Sequence, residues 1–176
     1  MSSNMFERGS AASVTCVLLR RTRAMLPTPP LPSQEWAEMR FSCVTGDPER
    51  LKKALDKPET DVNEKAGYGE TVLFQACYDG EFECAKLLLD AKANPNIVAG
   101  GKEAPHTPLH QAAYWGPDHG RKEDALKIVQ LLLERGADPL AADKVGNTAA
   151  EFARRRKDVP EIVAVLEAAE SAAASG

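Results

Sequence analysis

The stretch that decides the fold is Thr107-Pro-Leu-His-Gln-Ala-Ala-Tyr-Trp-Gly116, because an ungapped copy precedes it as Thr71-Val-Leu-Phe-Gln-Ala-Cys-Tyr-Asp-Gly80. A second pair of matching blocks follows in the same order. They read Lys86-Leu-Leu-Leu-Asp-Ala-Lys-Ala-Asn-Pro-Asn96 and Gln130-Leu-Leu-Leu-Glu-Arg-Gly-Ala-Asp-Pro-Leu140. Two blocks that recur in one order predict a repeat architecture.

Degenerate copies of the same pattern stand on both sides of these blocks. A trailing copy begins at Gly146-Asn-Thr-Ala-Ala-Glu-Phe-Ala153, and a leading copy runs from about Trp36 to Asn63. The copies that start at Thr71, Thr107 and Thr148 lie 36 and 41 residues apart, which is a period of 33 with insertions of 3 and 8. A period of this length predicts stacked helical units.

The blocks resemble the ankyrin-repeat family, whose signature is TPLHxA, a helix that ends in a leucine run, and GADxN. Residues 107–112 match the first part completely, whereas the chain departs from the pattern at Phe74, at Lys92 and at Ala149-Ala150. The resemblance covers about Gln34 to Ala169 and implies an all-α solenoid of helix-turn-helix units with short hairpin loops. We expect repeats at about 34–66, 67–102, 103–143 and 144–169, between a disordered, basic and proline-rich tail at 1–33 and a flexible C-terminus at 170–176.

Simple helix chemistry agrees with this interpretation. Thr107 is a good helix cap, and Pro108 is tolerated in a first turn that has no use for its N–H group. The apolar stripe over 128–133 is too broad for one repeat to cover, so stacking is required. Gly136 can take the left-handed conformation that closes a helix, whereas Lys92 must adopt it at a cost of roughly 1 kcal/mol. The second repeat is therefore predicted to be locally less stable.

Charge and apolar patterning exclude several classes of function. The net charge of −4 divides into +3 for residues 1–32, with four arginines against one glutamate, and −7 for the remainder. An acidic body argues against nucleic-acid binding. No apolar run has the length of a membrane span. We expect a monomer that binds neither nucleic acid nor membrane and resides in the cytoplasm or nucleus.

The N-terminal segment and the cysteines give weaker signals. Four prolines within 27–32 forbid a helix or a central strand there. Disorder is the favoured interpretation of the tail, with a mitochondrial transit peptide and a start codon at Met25 as alternatives. The four cysteines form no CxxC pair and no disulfide framework, so buried or idle thiols in a reducing compartment are expected.

No pattern in the chain predicts catalysis or a cofactor. His110 is a structural histidine in the ankyrin resemblance, where it bonds the turn and the adjacent repeat. His106 and His119 lack partners at metal-ligand spacing, so we expect no metal. Gly100-Gly101 lacks the strand and helix of a phosphate loop and is interpreted as a hairpin tip. No phosphate-binding, nucleophile-elbow or zinc-protease motif occurs, and we expect no enzyme activity and no cofactor.

The resemblance implies a partner-binding strip on the concave face and hairpin tips, facing another protein. Tyr78, Tyr114 and Trp115 are the expected anchors, because large aromatic side chains concentrate interface energy. Packing of Trp115 under the neighbouring insertion at 117–124 is an open alternative, and that insertion is either functional or a tolerated loop. The strip comprises Tyr68, Glu70, Tyr78, Asp79, Glu103, His106, Tyr114, Trp115, Lys144, Asn147, Arg155 and Arg156.

The sequence therefore predicts a protein–protein interaction module, an adaptor or scaffold. It would take a partner segment that carries both signs of charge. Two other classes remain. A regulatory inhibitor or assembly subunit of a kinase or another complex is one, since small four-repeat ankyrin proteins resemble cyclin-dependent kinase inhibitors in size. An enzyme with a degenerate site that uses His110 is the other.

Overall fold

The computed structural model describes residues 31–100, 105–114 and 121–175. Within these ranges the chain forms helices and no strand, and its antiparallel pairing is confined to isolated bridges. The all-α prediction is thereby confirmed. The helices are α1 (Gln34–Val44), α2 (Pro48–Leu55), α3 (Val72–Asp79), α4 (Phe82–Asp90), α5 (Pro108–Tyr114), α6 (Lys122–Glu134), α7 (Ala149–Arg154) and α8 (Pro160–Ala174).

The helices form four successive pairs that stack side by side. Each odd-numbered helix packs against the even-numbered helix that follows it, and each pair packs against the next. One layer consists of α1, α3, α5 and α7, and the other consists of α2, α4, α6 and α8. The apolar core lies between the two layers and along the seams between pairs. This arrangement is the predicted repeat solenoid.

Side-chain caps explain where several helices begin. Ser33 accepts a hydrogen bond from the backbone N–H of Trp36 at 3.0 Å, and Thr71 accepts one from Phe74 at 3.2 Å. Thr107 precedes α5 at the equivalent position, but its hydroxyl oxygen lies 2.8 Å from Nδ1 of the His110 ring. The threonine that starts this repeat is thus held by the histidine of the motif.

The predicted left-handed residues are present. Gly136 has a φ of 83°, and Lys92 has a φ of 69° at the corresponding turn of the second repeat. Lys92 is the only non-glycine residue with positive φ in the described part of the chain. A side chain in this conformation costs roughly 1 kcal/mol, so the structure contains the strain that the sequence indicated.

Small residues and an asparagine ladder join neighbouring repeats. Ala112 and Ala113 are fully buried, which lets adjacent first helices approach closely. The loops are tied by asparagine side chains: Oδ1 of Asn63 accepts from the backbone N–H of Asn94 at 2.7 Å. In the next repeat, Oδ1 of Asn96 accepts from the backbone N–H of Asp138 at 2.9 Å. The equivalent contacts hold successive loops in one register.

The last pair closes the solenoid with charge. On the outer surface Nε of Arg154 donates to Oε1 of Glu167 at 2.9 Å, and both side chains are about half exposed. Helix α8 continues past residue 169, where we placed the end of the repeat domain, to Ala174. Its alanine-rich end has high helix propensity. Residues 1–30 lie outside the described ranges, and the assignment of a tail there stays a prediction.

Three of the four cysteines lie in the described ranges. Cys43, Cys77 and Cys84 are free and buried, as expected. Burial raises the pKa of the Cys77 thiol, so this side chain is neutral and acts as a small apolar core residue. Cys16 lies outside the described residues. Among the helices of the described chain, none has the length and apolarity needed to span a bilayer.

Candidate protein-binding surface

The odd-numbered helices present equivalent positions on one side of the solenoid. We call this side the first-helix face, and it corresponds to the predicted concave strip. In the second, third and fourth repeats, the residue four positions after the capping threonine lies on this face. These residues are Gln75, Gln111 and Phe152, and their counterpart in α1 is Phe41. Three positions further on stand Val44, Tyr78, Tyr114 and Arg155.

The hairpin tips flank this face. Antiparallel bridges pair Ala66 with Glu70, Ala99 with His106 and Ala142 with Thr148. The N–H of Gly100, whose φ is 95°, donates to the carbonyl oxygen of Tyr68 at 3.2 Å and joins two tips. Gly100 is therefore part of a hairpin, as predicted, and the Tyr68 side chain remains 73% exposed.

A groove of about 360 Å³ lies between the second and third repeats on this face. It brings together three residues of the predicted strip, namely Glu70, Tyr78 and His106. Sequence reasoning missed the other side chains that line it, although Gln75 and Gln111 occupy the same position in their helices. Comparing the repeats at that position would have found both. The groove is lined by Glu70, Phe74, Gln75, Tyr78, Gly100, His106 and Gln111.

An aromatic cluster fills the seam between the third and fourth repeats. The ring of Phe152 packs edge-to-face against His106 at 5.0 Å, His110 at 5.2 Å and Tyr114 at 5.9 Å between centroids. Edge-to-face geometry is favourable for such pairs. Phe152 is buried, whereas Tyr114 is half-buried. Part of the predicted anchor Tyr114 is therefore used by the fold itself.

His110 has the structural role that the resemblance implied. Its Nδ1 accepts from the backbone N–H of Thr107 at 3.3 Å, and its Nε2 lies 3.2 Å from the carbonyl oxygen of Asn147 in the next repeat. Because Nδ1 accepts, Nε2 carries the proton and donates to that carbonyl. Burial lowers the pKa of His110, which keeps the ring neutral. Both nitrogens are occupied by the fold.

Several residues of the predicted strip have partners within the chain. Asp79 forms an ion pair with Arg40 of the first repeat at 2.8 Å. Arg156 donates to the backbone of Tyr114 at 2.6 Å, and its side chain is only 15% exposed. Asn147 donates from Nδ2 to an aspartate on its own hairpin, Asp143, at 2.9 Å. These contacts give Asp79, Arg156 and Asn147 a role in stacking and turn geometry.

The basic end of the strip lies on the fourth repeat. Lys144 and Arg155 are exposed. The guanidinium carbon of Arg155 stands 5.1 Å from the centroid of the Phe152 ring, and Nη2 donates to Oδ1 of Asn147 at 2.7 Å. Arg155 thus lies beside the aromatic cluster. Two members of the predicted strip, Glu103 and Trp115, lie outside the described residues.

The insertion at 117–124 is described only from residue 121 onward. Arg121 forms an ion pair with Glu81 and donates to the carbonyl oxygen of Asp79 at 3.3 Å. The hydrogen bond to Glu81 and the negative charge of Glu81 raise the pKa of the Arg121 guanidinium above its usual value. The end of the insertion is thus fastened to the second repeat.

The structure adds Phe41 and Val44 to the surface. They are 51% and 58% exposed, and the guanidinium carbon of Arg50 stands 4.6 Å from the centroid of the Phe41 ring. The sequence analysis missed them because the leading copy has no threonine to mark its start. Aligning Gly46 with Gly80 would have placed both residues on this face.

In the described ranges, no three His, Cys, Asp or Glu side chains are arranged to hold a metal ion.

Several known proteins are similar in sequence to this chain. A protein of Loxodonta africana named ankyrin repeat, SAM and basic leucine zipper domain-containing protein 1 is 34% identical over 138 residues, which is 78% of this chain and 27% of that protein. The "Putative ankyrin repeat protein YahD" of Escherichia coli (strain K12) is 38% identical over 118 residues, 66% of this chain and 55% of that protein. The human BCL-6 corepressor-like protein 1 is 34% identical over 99 residues, 56% of this chain and 5% of that protein.

These three matches cover between 5% and 55% of the relatives' own length. What they share with this chain is therefore the repeat region and not a whole protein. The family model described as ankyrin repeats (3 copies) matches residues 39–143, which span α1 to the third hairpin. The repeats, the caps and the histidine that bridges two units agree with that match. The chain belongs to the ankyrin-repeat family.

Proposed function

We propose that this chain is an adaptor or scaffold that binds a partner protein through the first-helix face and the hairpin tips. Ankyrin repeats are generally protein–protein interaction modules. The family is also generally non-catalytic, and we extend that property to this chain. Its odd-numbered helices form one layer of the solenoid, and we place the contact with another molecule on the exposed side of that layer.

One observation supports this proposal most strongly. Four large apolar side chains that the structure leaves exposed lie on the first-helix face and hairpin tip of the first two repeats: Phe41 at 51%, Val44 at 58%, Tyr68 at 73% and Tyr78 at 40%. Exposed apolar groups clustered on one side of a domain mark interaction sites. Aromatic residues in such clusters also tend to dominate binding energy.

The charge distribution sets the orientation of the partner. Glu70 lies at the groove between the second and third repeats, and Lys144 and Arg155 lie on the fourth repeat. A partner segment with basic groups at one end and acidic groups at the other is complementary to this distribution. Complementary charge mainly raises the association rate and fixes the register of binding.

Affinity capture from native cell extract tests the proposal. The bait variant Tyr68→Ala/Tyr78→Ala removes two exposed rings, and circular dichroism checks that it remains helical. Lys86→Ala/Gln130→Ala is the matched control, since both residues are exposed on even-numbered helices. We expect a protein that is captured by the wild type and by the control and lost with the tyrosine variant. Equal capture by all three baits contradicts binding through this face.

A further inference from the structure

We propose that the groove between the second and third repeats receives a basic side chain, lysine or arginine, from a segment of the partner protein. This inference rests on the proposed function and specifies the chemistry that the surface recognises. It concerns the groove lined by Glu70, Phe74, Gln75, Tyr78, Gly100, His106 and Gln111.

The size of the groove suits side chains and not a large ligand. Its volume of about 360 Å³ is at the low end of the range for small-molecule sites, roughly 300–1,000 Å³. The lining residues come from two adjacent repeats, so the groove depends on stacking and is absent from either repeat alone. One or two side chains of a peptide segment fit this space.

The walls combine rings with a single acid. Phe74 is buried at 5% exposure and Tyr78 is 40% exposed, so aromatic surface is present at the base and at the rim. Glu70 is the only acidic residue among the lining side chains, and none of them is lysine or arginine. A cation is attracted to an aromatic face, and its aliphatic stem packs on apolar surface.

Glu70 supplies the negative charge of this groove. Within the described residues, Glu70 takes part in none of the ion pairs, in contrast to Asp79 and Glu81 at the other end of α3. His106 does not oppose an incoming cation, because burial lowers the pKa of its ring and keeps it neutral at pH 7. Gln75 and Gln111 each carry an amide oxygen that can accept a hydrogen bond. The groove therefore presents acceptors and one negative charge.

Other occupants fit less well. An apolar side chain would cover the Glu70 carboxylate without giving it a partner, and burying an unpaired charge is costly. An acidic side chain would be repelled by the same carboxylate. A lysine or arginine pairs with the carboxylate, and charge-assisted hydrogen bonds of this kind are among the stronger ones in proteins.

The test is selection of a random peptide library displayed on phage against the immobilised full chain at pH 7. We expect the wild type to enrich peptides with lysine or arginine at one fixed position. Glu70→Gln should weaken the selected peptides about 10-fold, which is about 1.4 kcal/mol, because the amide oxygen still accepts a hydrogen bond but the negative charge is lost. Glu70→Lys should abolish the basic preference or reverse it to acidic residues.

Glu134→Lys is the control for the change in net charge, because Glu134 is exposed at the end of α6. It should select the same basic peptides as the wild type. Two results overturn the inference and leave the proposed function standing. In the first, the wild type selects peptides whose binding is lost in Tyr68→Ala/Tyr78→Ala, but these peptides show no preference for basic residues. In the second, Glu70→Lys still selects basic peptides. If the wild type enriches no peptide whose binding is lost in Tyr68→Ala/Tyr78→Ala, the proposed function fails and the inference fails with it.

Discussion

Arg156 reaches back from the fourth repeat and donates from Nη1 to the backbone carbonyl oxygen of Tyr114 at 2.6 Å. Tyr114 lies in the last described turn of α5, and carbonyls in the last turn of a helix have no partner within their own helix. The same guanidinium is held by Asp158 through Nε at 3.2 Å. One arginine thus bonds to a carbonyl in the last described turn of a helix in the neighbouring repeat.

Removing this contact should loosen the seam between the third and fourth repeats. We expect Arg156→Ala to lower the free energy of unfolding by about 1–3 kcal/mol, because the carbonyl of Tyr114 loses a charged donor. Urea denaturation followed by circular dichroism measures the change. Lys157→Ala, at the exposed neighbouring residue, should change stability by less than about 0.5 kcal/mol. Equal effects of the two substitutions would refute the role of Arg156.

The left-handed lysine predicts a stabilising substitution. Lys92→Gly should raise the free energy of unfolding by about 0.5–1 kcal/mol, since glycine adopts a φ of 69° without strain. Gly136→Ala is the reciprocal change. Its added Cβ would meet no atom within 4 Å, so a loss of about 1 kcal/mol would come from the conformation alone. Thermal unfolding of both variants measures this pair, and a destabilised Lys92→Gly would be inconsistent with strain at this turn.

The buried imidazoles predict acid sensitivity. Burial lowers the pKa values of His110 and His106 in the folded chain, while the unfolded chain titrates near 6.5. The unfolded state therefore binds more protons just below pH 6.5. Stability is complete above that pH and declines as the pH falls from 6.5 towards the lowered pKa values.

Urea unfolding midpoints between pH 7.5 and 5.5 measure this decline. His110→Gln should be less stable at pH 7.5, because two hydrogen bonds are altered, and should lose less stability on acidification. Replacing exposed Lys86 by alanine should leave the slope unchanged. A His110→Gln variant whose midpoint falls with pH as steeply as that of the wild type would show that this histidine does not contribute.

The asparagine ladder predicts coupling between loops. Asn96 accepts from the N–H of Asp138 and donates to the carbonyl of Gly136, both at 2.9 Å. Asn96→Ala should cost about 1–2 kcal/mol, because both backbone groups lose their side-chain partner. Hydrogen exchange should show faster exchange at Asp138 in particular. Unchanged protection there would mean that solvent replaces the side chain without loss.

Much of the architecture was predictable from local signals. The recurring blocks gave the helix pairs, and the position of Lys92 after a leucine run gave the left-handed turn, because such conformations follow from neighbours in sequence. His110 was assigned correctly through the family resemblance. These features depend on a few residues that are close together in the chain.

The binding surface was less predictable, because stacking decides which side chains are available. The sequence placed Asp79 and Arg156 in the partner-binding strip, yet each meets a residue about 40 positions away, Arg40 and Tyr114 respectively. Phe152 occupies a surface position by pattern but is covered by rings of the preceding repeat. Such contacts follow from how the repeats are spaced and could not be read from one repeat.

The most direct test of the central claim is the dissociation constant of the captured partner, measured by titration calorimetry. The account predicts that Tyr68→Ala/Tyr78→Ala weakens binding about 100-fold, since hot-spot aromatics contribute about 2 kcal/mol or more to affinity. Lys86→Ala/Gln130→Ala should bind within about 2-fold of the wild type, because side chains outside an interface change affinity little. A tyrosine variant that stays helical and binds as tightly as the wild type would contradict the claim that the first-helix face is the binding surface.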